Sequence, residues 1–320
     1  MKPLARGLCF ALVLLANTAW AQNWPTKTVR IVVPFAPGAL TDIAARALAL
    51  ELSAQLGQQF IVENKGGAGG TLGTNDVAKS PPDGSSFAFT DSSFMISAGL
   101  YPTLPYDPMK DLVPVTLAVE AAAILIARQD LPAKNVRELV ALAKAKPRTL
   151  TYGSGGQGSS AHLGMELLLI QAGAEMVHVP FKGVAAAIAD VVGGRIDVSI
   201  SSGGAALGHV KGGKVRALAV TGKERLSSLP DVPTFADSGF PDYDMLYRFG
   251  FLAPAGTPAA IVMRMRDEVA KAGEKQRVRD LLAPQGARMV ASTPAEYAAI
   301  IEREMRTWKS VIDKAGVKVE

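Results

Sequence analysis

From Val29 to Val220 the chain repeats one unit: a short apolar strand, a turn of small polar residues, and a helical pattern. Arg30-Ile31-Val32-Val33-Pro34-Phe35 reads as a buried strand, and the helix predicted from about Thr41 to Leu56 has Ile43, Ala47, Leu48 and Leu52 on one apolar face. Phe60-Ile61-Val62 follows, then the turn from Glu63 to Gly70 and a helix to about Lys79; Ser86-Phe87-Ala88-Phe89 leads through Thr90-Asp91-Ser92-Ser93 into a short helix. The second half repeats the unit with Leu150-Thr151-Tyr152, Met176-Val177-His178-Val179 and Ile196-Asp197-Val198-Ser199-Ile200. Such alternation predicts an α/β fold of mostly parallel sheets covered by helices on both faces. Sheets of this kind collect ligands outside the carboxyl ends of their strands, where all the small-residue turns fall.

Two long extended runs interrupt the pattern, Val113 to Ala127 between the two sets of units and Tyr247 to Ala253 after the second. Two crossings fit one domain inserted into another across a hinge, the chain leaving near Ala122 and returning near Gly250. The expected division is residues 24–122 plus 250–320 for the first domain and 123–249 for the second. The tail is helical: Thr257-Pro258 places a hydroxyl before a proline at a helix start, and Thr293-Pro294-Ala295-Glu296 has the form of a capping box. These last helices are expected to pack on the first domain.

The opening segment carries Lys2 and Arg6, an apolar run from Leu8 to Ala16, and Ala19-Trp20-Ala21, which together read as a secretory signal removed after residue 21. Its apolar run is too short for a spanning helix, which needs roughly 20 residues. The single cysteine, Cys9, lies inside that run, so the mature chain is expected to hold no disulfide or thiolate metal site. Loss of Lys2 and Arg6 takes the formal charge from +5 to +3, with no basic block that nucleic acid would require.

Two of the turns, Pro37-Gly38-Ala39-Leu40-Thr41 and Gly153-Ser154-Gly155-Gly156-Gln157-Gly158-Ser159, end a strand and open a helix in different halves of the chain. A helix that starts there points free N–H groups and the positive end of its dipole at whatever precedes it, so each is a candidate anion seat. Gly153, Gly155 and Gly158 also match G-x-G-x-x-G, which keeps a dinucleotide-binding enzyme as the alternative. Against it, the next strand runs into Pro180-Phe181-Lys182-Gly183 and supplies no acidic residue for a ribose. Gly208 to Lys214 fits a phosphate loop in spacing, but Val215 replaces the metal-binding hydroxyl and the segment precedes a strand. No serine of the turns sits in G-x-S-x-G. The histidines, His162, His178 and His209, form no i, i+4 pair and have no acidic partner at ligand spacing, so no metal or catalytic group is expected; His162, one turn after Ser159, is read as holding that turn.

Trp24-Pro25-Thr26-Lys27, Val32-Val33-Pro34-Phe35-Ala36-Pro37-Gly38 with Thr41-Asp42, and Val62-Glu63-Asn64-Lys65 with Gly67-Ala68-Gly69-Gly70 resemble the Bug receptors. These are the periplasmic substrate-binding proteins of tripartite tricarboxylate transporters. Pro81-Pro82-Asp83-Gly84, Tyr106-Asp107-Pro108, Leu150 to His162-Leu163, His178 to Gly183, Leu218 to Thr221 and Leu229 to Thr234 extend the similarity over essentially the whole mature chain. The resemblance implies a two-domain periplasmic-binding-protein fold of type II-like arrangement, mostly parallel sheets flanked by helices, joined by a two-strand hinge. It implies a monomeric receptor without cofactor or catalysis. That receptor closes on a dicarboxylate, an acidic amino acid or an aromatic acid and delivers it to membrane transport subunits.

Carried onto this chain, the first-domain seat falls to Phe35, Pro37, Gly38, Ala39, Leu40, Thr41 and Asp42, with Gly67 and Ala68 and the Thr90-Asp91-Ser92 turn beside it. The far end of the ligand falls to Ser154, Gly155, Gly156, Gln157 and Ser159, with Lys182, Ser201 and Ser202. Ala39 stands where a second glycine is usual, and Gly66 where proline is frequent. No arginine lies in these turns, and Lys65 and Lys182 are the cations near them. Recognition is therefore expected to rest on backbone N–H groups, hydroxyls and water.

Overall fold

The computed structural model describes residues 24–318, so the signal segment lies outside the described residues. The first lobe opens with β1 (Val29–Val33), α1 (Leu40–Leu56), β2 (Phe60–Asn64), a 3-10 turn at Ala68–Gly70, α2 (Thr71–Ala78), β3 (Ser86–Thr90) and α3 (Ser93–Leu100). Next come β4 (Leu112–Arg128) and the second-lobe units: α4 (Val136–Ala145), β5 (Thr151–Ser154), α5 (Ser160–Ala172), β6 (Val177–Pro180), α6 (Val184–Val192), β7 (Val198–Ser202), α7 (Gly203–Lys211) and β8 (Val215–Val220). The chain returns through β9 (Leu246–Pro254) and ends with α8 (Ala259–Gly273), α9 (Gln276–Leu282), a 3-10 turn at Ala283–Gln285, β10 (Ala287–Met289) and α10 (Pro294–Ala315).

β1 pairs in parallel with β2 and β3, and β5 with β6 and β7, as βα units require; the antiparallel pairs all involve β4 or β9. β4 is the element that makes two lobes of one sheet. At 17 residues it runs roughly 56 Å as a strand. Its Leu112–Ala122 portion pairs with β9, and its Ala123–Arg128 portion pairs with β7 and β8. The return crossing falls at Leu246, opposite Ala122, a few residues ahead of the expected Gly250.

α10 carries the capping box the sequence spells: Thr293 accepts from the Glu296 N–H while the Glu296 carboxylate accepts from the Thr293 N–H at 2.8 Å. Tyr297, Ile301, Glu304, Trp308 and Val311 form its buried face. Its 22 residues span about 33 Å, enough to lie on α3 and β4 of the first lobe and on α5 of the second. The tail therefore straddles both lobes, which corrects the expectation that it packs on the first alone. The cap expected at Thr257 is also absent: its hydroxyl donates to the Pro254 carbonyl at 2.7 Å, and Pro258 opens α8 without a side-chain cap.

A buried ionic cluster fastens the hinge. Arg248 of β9, only 4% exposed, meets Glu120 of β4 at 3.2 Å, Asp244 at 2.8 Å and buried Glu304 of α10. Burial disfavours its charge, but the carboxylates around it hold its pKa above the ordinary arginine value.

Candidate functional site

The first seat is built by the β1–α1 turn. Ala36 to Ala39 are exposed, and Gly38 takes a φ of +90°, which a side chain would strain. Ala39 occupies the N-cap and has no side-chain acceptor, so the amides of Leu40, Thr41 and Asp42 find no acceptor among the described residues. The turn is fixed from below by Asp42. Its buried carboxylate accepts from the Gly38 N–H at 3.0 Å, Arg46 Nε at 3.0 Å and Asn64 Nδ2 at 2.8 Å. Burial pushes the Asp42 pKa up, and these bonds more than reverse it, leaving it below the usual carboxylate value. Asp42 and the Gly38 amide thus hold the turn's shape, and the open donors lie just beyond them.

The β2–α2 turn packs against this seat. Gly67, Ala68, Gly69 and Gly70 all have positive φ, and Ala68 at +46° is the strained member, since a Cβ makes that region costly by roughly 1–3 kcal/mol. The back of Gly70 is closed by the Phe35 ring, which a Cβ would approach to 3.2 Å. Lys65 pairs with Asp76 at 2.7 Å and is not free for a ligand. In the third turn Thr90 and Ser92 are buried. The Ser92 hydroxyl donates to the Leu246 carbonyl at 3.2 Å and accepts from the Arg248 N–H at 3.0 Å, so it ties the turn to the hinge. Asp91 between them is half-buried.

In the second lobe Ser154 is fully buried at the end of β5, with its hydroxyl 2.7 Å from His178 Nε2 and 3.2 Å from the Gly156 amide nitrogen. Ser159 caps α5 by accepting from the His162 N–H, and His162 Nδ1 accepts from the Gly158 N–H at 3.0 Å. His162 holds the turn, as the sequence reading has it. The amides of Gln157, Ser160 and Ala161 remain without acceptors among the described residues. Gln157 and Lys182 are exposed, and Lys182 makes no ion pair among the described residues. The β5–α5 and β6–α6 turns are joined by the Phe181 N–H to Ser154 O and the Gly183 N–H to Gly155 O, at 3.1 and 3.3 Å.

Ser201 and Ser202 are not turn residues. Both belong to β7, opposite Ile124 and Ala123 of β4, and the Ser201 hydroxyl is buried without a partner among the described residues. The helix that follows begins at Gly203, where a Cβ would come within 2.6 Å of the first-lobe Gln285 carbonyl.

The three fingerprint glycines each answer to packing. A Cβ at Gly153 would meet Ala187 of α6 at 3.0 Å, one at Gly155 would meet the Val184 amide nitrogen at 3.2 Å, and one at Gly158 would meet Leu100 of α3 at 2.4 Å. The last contact brings the first lobe against the second-lobe turn.

Sequence reasoning treated the histidines one by one and missed that two of them meet. His162 and His178 stack face to face, 3.7 Å between centroids and 7° between planes, with Tyr152 next to His178 at 4.9 Å. Glu166, one helical turn after His162, lies 4.0 Å from its Nε2 and bonds the Tyr152 hydroxyl; it is an acidic neighbour the spacing argument missed. Burial pushes His162 down to about 3, with help from His178, and His178 down to about 4, so both rings are neutral near pH 7. The signal lay in the register: Tyr152 and His178 are direct partners in the β5–β6 ladder.

Two α/β lobes on a two-strand hinge, with helix starts that keep open backbone amides at the carboxyl ends of strands in both, define a two-domain solute-binding protein. Residues 44–317 match the tripartite tricarboxylate transporter family receptor, TctC, and the chain belongs to that family of periplasmic receptors. It is 34% identical to protein BugT of Bordetella pertussis over 98% of this chain and 97% of BugT. Among solved structures it is similar to R. palustris Rpa4515 with adipate, at 34% identity and TM-score 0.80, covering 92% of this chain and 99% of that one. It is also similar to MatC of Rhodopseudomonas palustris with bound malate, at 32% identity and TM-score 0.77, covering 90% and 100%. That family is one of receptors, and the chain is likewise similar to the periplasmic binding protein BugD, at 32% identity and TM-score 0.77, covering 93% of this chain and 100% of that one. Among the described residues no helix is long and apolar enough to cross a membrane.

Proposed function

We propose that this chain is an exported, monomeric periplasmic receptor that captures a small carboxylate between its lobes and presents it to membrane transport subunits, without altering it chemically. The observation that carries the reading is the paired set of open backbone donors, Leu40, Thr41 and Asp42 in one lobe and Gln157, Ser160 and Ala161 in the other. The first-lobe set, together with Phe35, Pro37 and Gly38 as walls and Gly67 and Ala68 alongside, seats one carboxylate. The turn from Ser154 to Ser159, with Lys182, reads the far end. The malate and adipate held by similar receptors support this ligand class. Division of the chain near Ala122 and Leu246 puts the two seats on separate lobes.

The energetics suffice without a guanidinium. A hydrogen bond to a charged group nets about 1.5–3 kcal/mol, and micromolar affinity needs about 8 kcal/mol. Four or five donors already fixed by helices reach that range after closure costs. A ligand touching both lobes shifts the population toward the closed form, whereas one that grips a single lobe binds without closing it.

A thermal-shift panel of mono- and dicarboxylic acids, acidic amino acids and nucleotides tests the reading. A carboxylate at a hundredfold excess over its dissociation constant should stabilise the chain by about 2.7 kcal/mol. Stabilisation by NAD or a nucleotide alone would instead favour an enzyme. Small-angle scattering should show a smaller radius of gyration with saturating ligand; an unchanged radius counts against closure.

A further inference from the structure

The second-lobe turn has little stiffness of its own. Gly156 sits at a φ of +129° and Gly158 at +71°, conformations that glycine enters freely and leaves as freely. Gln157 between them, and Ser160 and Ala161 just after, carry the amides left open for a ligand. Donors on so permissive a backbone bind well only if something else holds them in place.

Two imidazoles supply that hold. His162 Nδ1 accepts from the Gly158 N–H at 3.0 Å. His178 reaches the other glycine through Ser154: its Nε2 lies 2.7 Å from the Ser154 hydroxyl oxygen, which accepts from the Gly156 N–H at 3.2 Å and lies 3.1 Å from the Gly156 carbonyl oxygen. The two rings stack at 3.7 Å, and Tyr152, its hydroxyl bonded to Glu166, lies beside His178 at 4.9 Å. The glycine on each side of Gln157 is thereby tied to side chains of β5, β6 and α5. Burial penalises an imidazole where an apolar side chain would pack beside Tyr152 without that cost, so the His178 ring is accounted for by its bond to Ser154.

Ser154 has no proton left for a ligand. Its hydroxyl carries one hydrogen, and whichever tautomer His178 takes, that hydrogen goes to Nε2 or to the Gly156 carbonyl. The residue is also fully buried, so it serves a carboxylate only through the backbone it holds. We propose that His178, acting through Ser154, is a positioning residue of the second-lobe seat: with His162 it pins the backbone on both sides of Gln157, so that the open amides stand in place before a carboxylate arrives. The inference rests on the receptor reading above. Ser154, expected from the sequence to touch the ligand, is then a relay.

Isothermal titration at pH 7.5 with malate, adipate, glutamate and 3-phenylpropionate tests it, on the parent, His178→Leu, Ser154→Ala, their double variant and His178→Gln. An acid that the parent binds should bind at least about tenfold more weakly to each of the first two. The double variant should lose no more than about the larger single loss, since both changes break one connection. His178→Gln, whose side-chain amide falls where Nε2 was, should recover most of the affinity. In the unliganded chains, amide exchange at Gly156 and Gly158 should quicken in His178→Leu and return toward the parent in His178→Gln, with urea midpoints reporting any global loss separately. Parent-like binding by His178→Leu, or losses in the two single variants that add, overturns the inference and leaves carboxylate reception standing. Should His178→Leu fail to fold, Ser154→Ala decides, and parent-like affinity there overturns the inference as well. A parent that binds none of the four acids overturns both readings.

Discussion

The stacked histidines beneath the second-lobe seat make the protein's stability depend on pH in a calculable way. His162 is 3% exposed and stays neutral in the fold, because burial beside His178 holds its pKa near 3. In the unfolded chain the same residue titrates near 6.5, so between those values the unfolded state binds the extra proton and stability falls as pH falls. At pH 5, about 1.5 pH units below the unfolded value, the loss relative to pH 7.5 is about 2 kcal/mol for this one residue. The magnitude holds for any folded value well below 5. His162→Asn isolates it: the Asn amide oxygen replaces Nδ1 as acceptor for the Gly158 N–H, while the proton-binding site is gone. Urea unfolding of both proteins from pH 7.5 to pH 5 should show the parent losing about 2 kcal/mol more than the variant, since His178 and the carboxylates are common to both. Parallel curves would refute the assignment of a neutral, buried His162.

Gly155→Asp should abolish ligand-induced stabilisation while the unliganded chain keeps its circular dichroism, since its Cβ meets the Val184 amide nitrogen at 3.2 Å and the Gly183 backbone at ordinary contact distance of 3.6 Å but adds a negative charge to the seat; a variant that responds like the parent moves the site elsewhere. Arg248→Met should cost about 3–5 kcal/mol in urea unfolding by stranding buried Glu304, and adding Glu304→Leu should recover part of that loss. No recovery would mean that packing, and not the unpaired charge, dominates. Thr293→Ala removes the capping hydroxyl of α10 and should cost about 1 kcal/mol by the same assay; a loss under a few tenths would show that tertiary packing alone holds the helix start.

Much of the fold was legible because its signals are local. The strand runs, the small turns after them, the capping box at Thr293 and the long extended run that became β4 each follow from neighbouring residues. Placement of strand ends was less secure: Gly153 and Ser154, and again Ser201 and Ser202, continue their strands instead of forming turns, because ladder partners across the sheet extend them. Thr257 failed as a cap for a similar reason, its hydroxyl finding the Pro254 carbonyl first. Among site residues, the sequence singled out Asp42 and Ser92 by position, yet both turn inward to hold loops, a choice settled by Asn64 and Arg46 in one case and by Leu246 and Arg248 in the other.

Chain order alone determined that there would be βα units, a crossing strand, glycine-bearing helix starts in both halves and a receptor family, since these are written in periodicity, spacing and motif. Which donors stay open, which acids are already engaged, and the meeting of His162 with His178 or of Arg248 with Glu120 and Glu304 were decided by the tertiary structure. Those pairings join residues far apart in the chain, and each polar group takes whichever partner the folded sheet brings within hydrogen-bond reach before water or ligand can supply another.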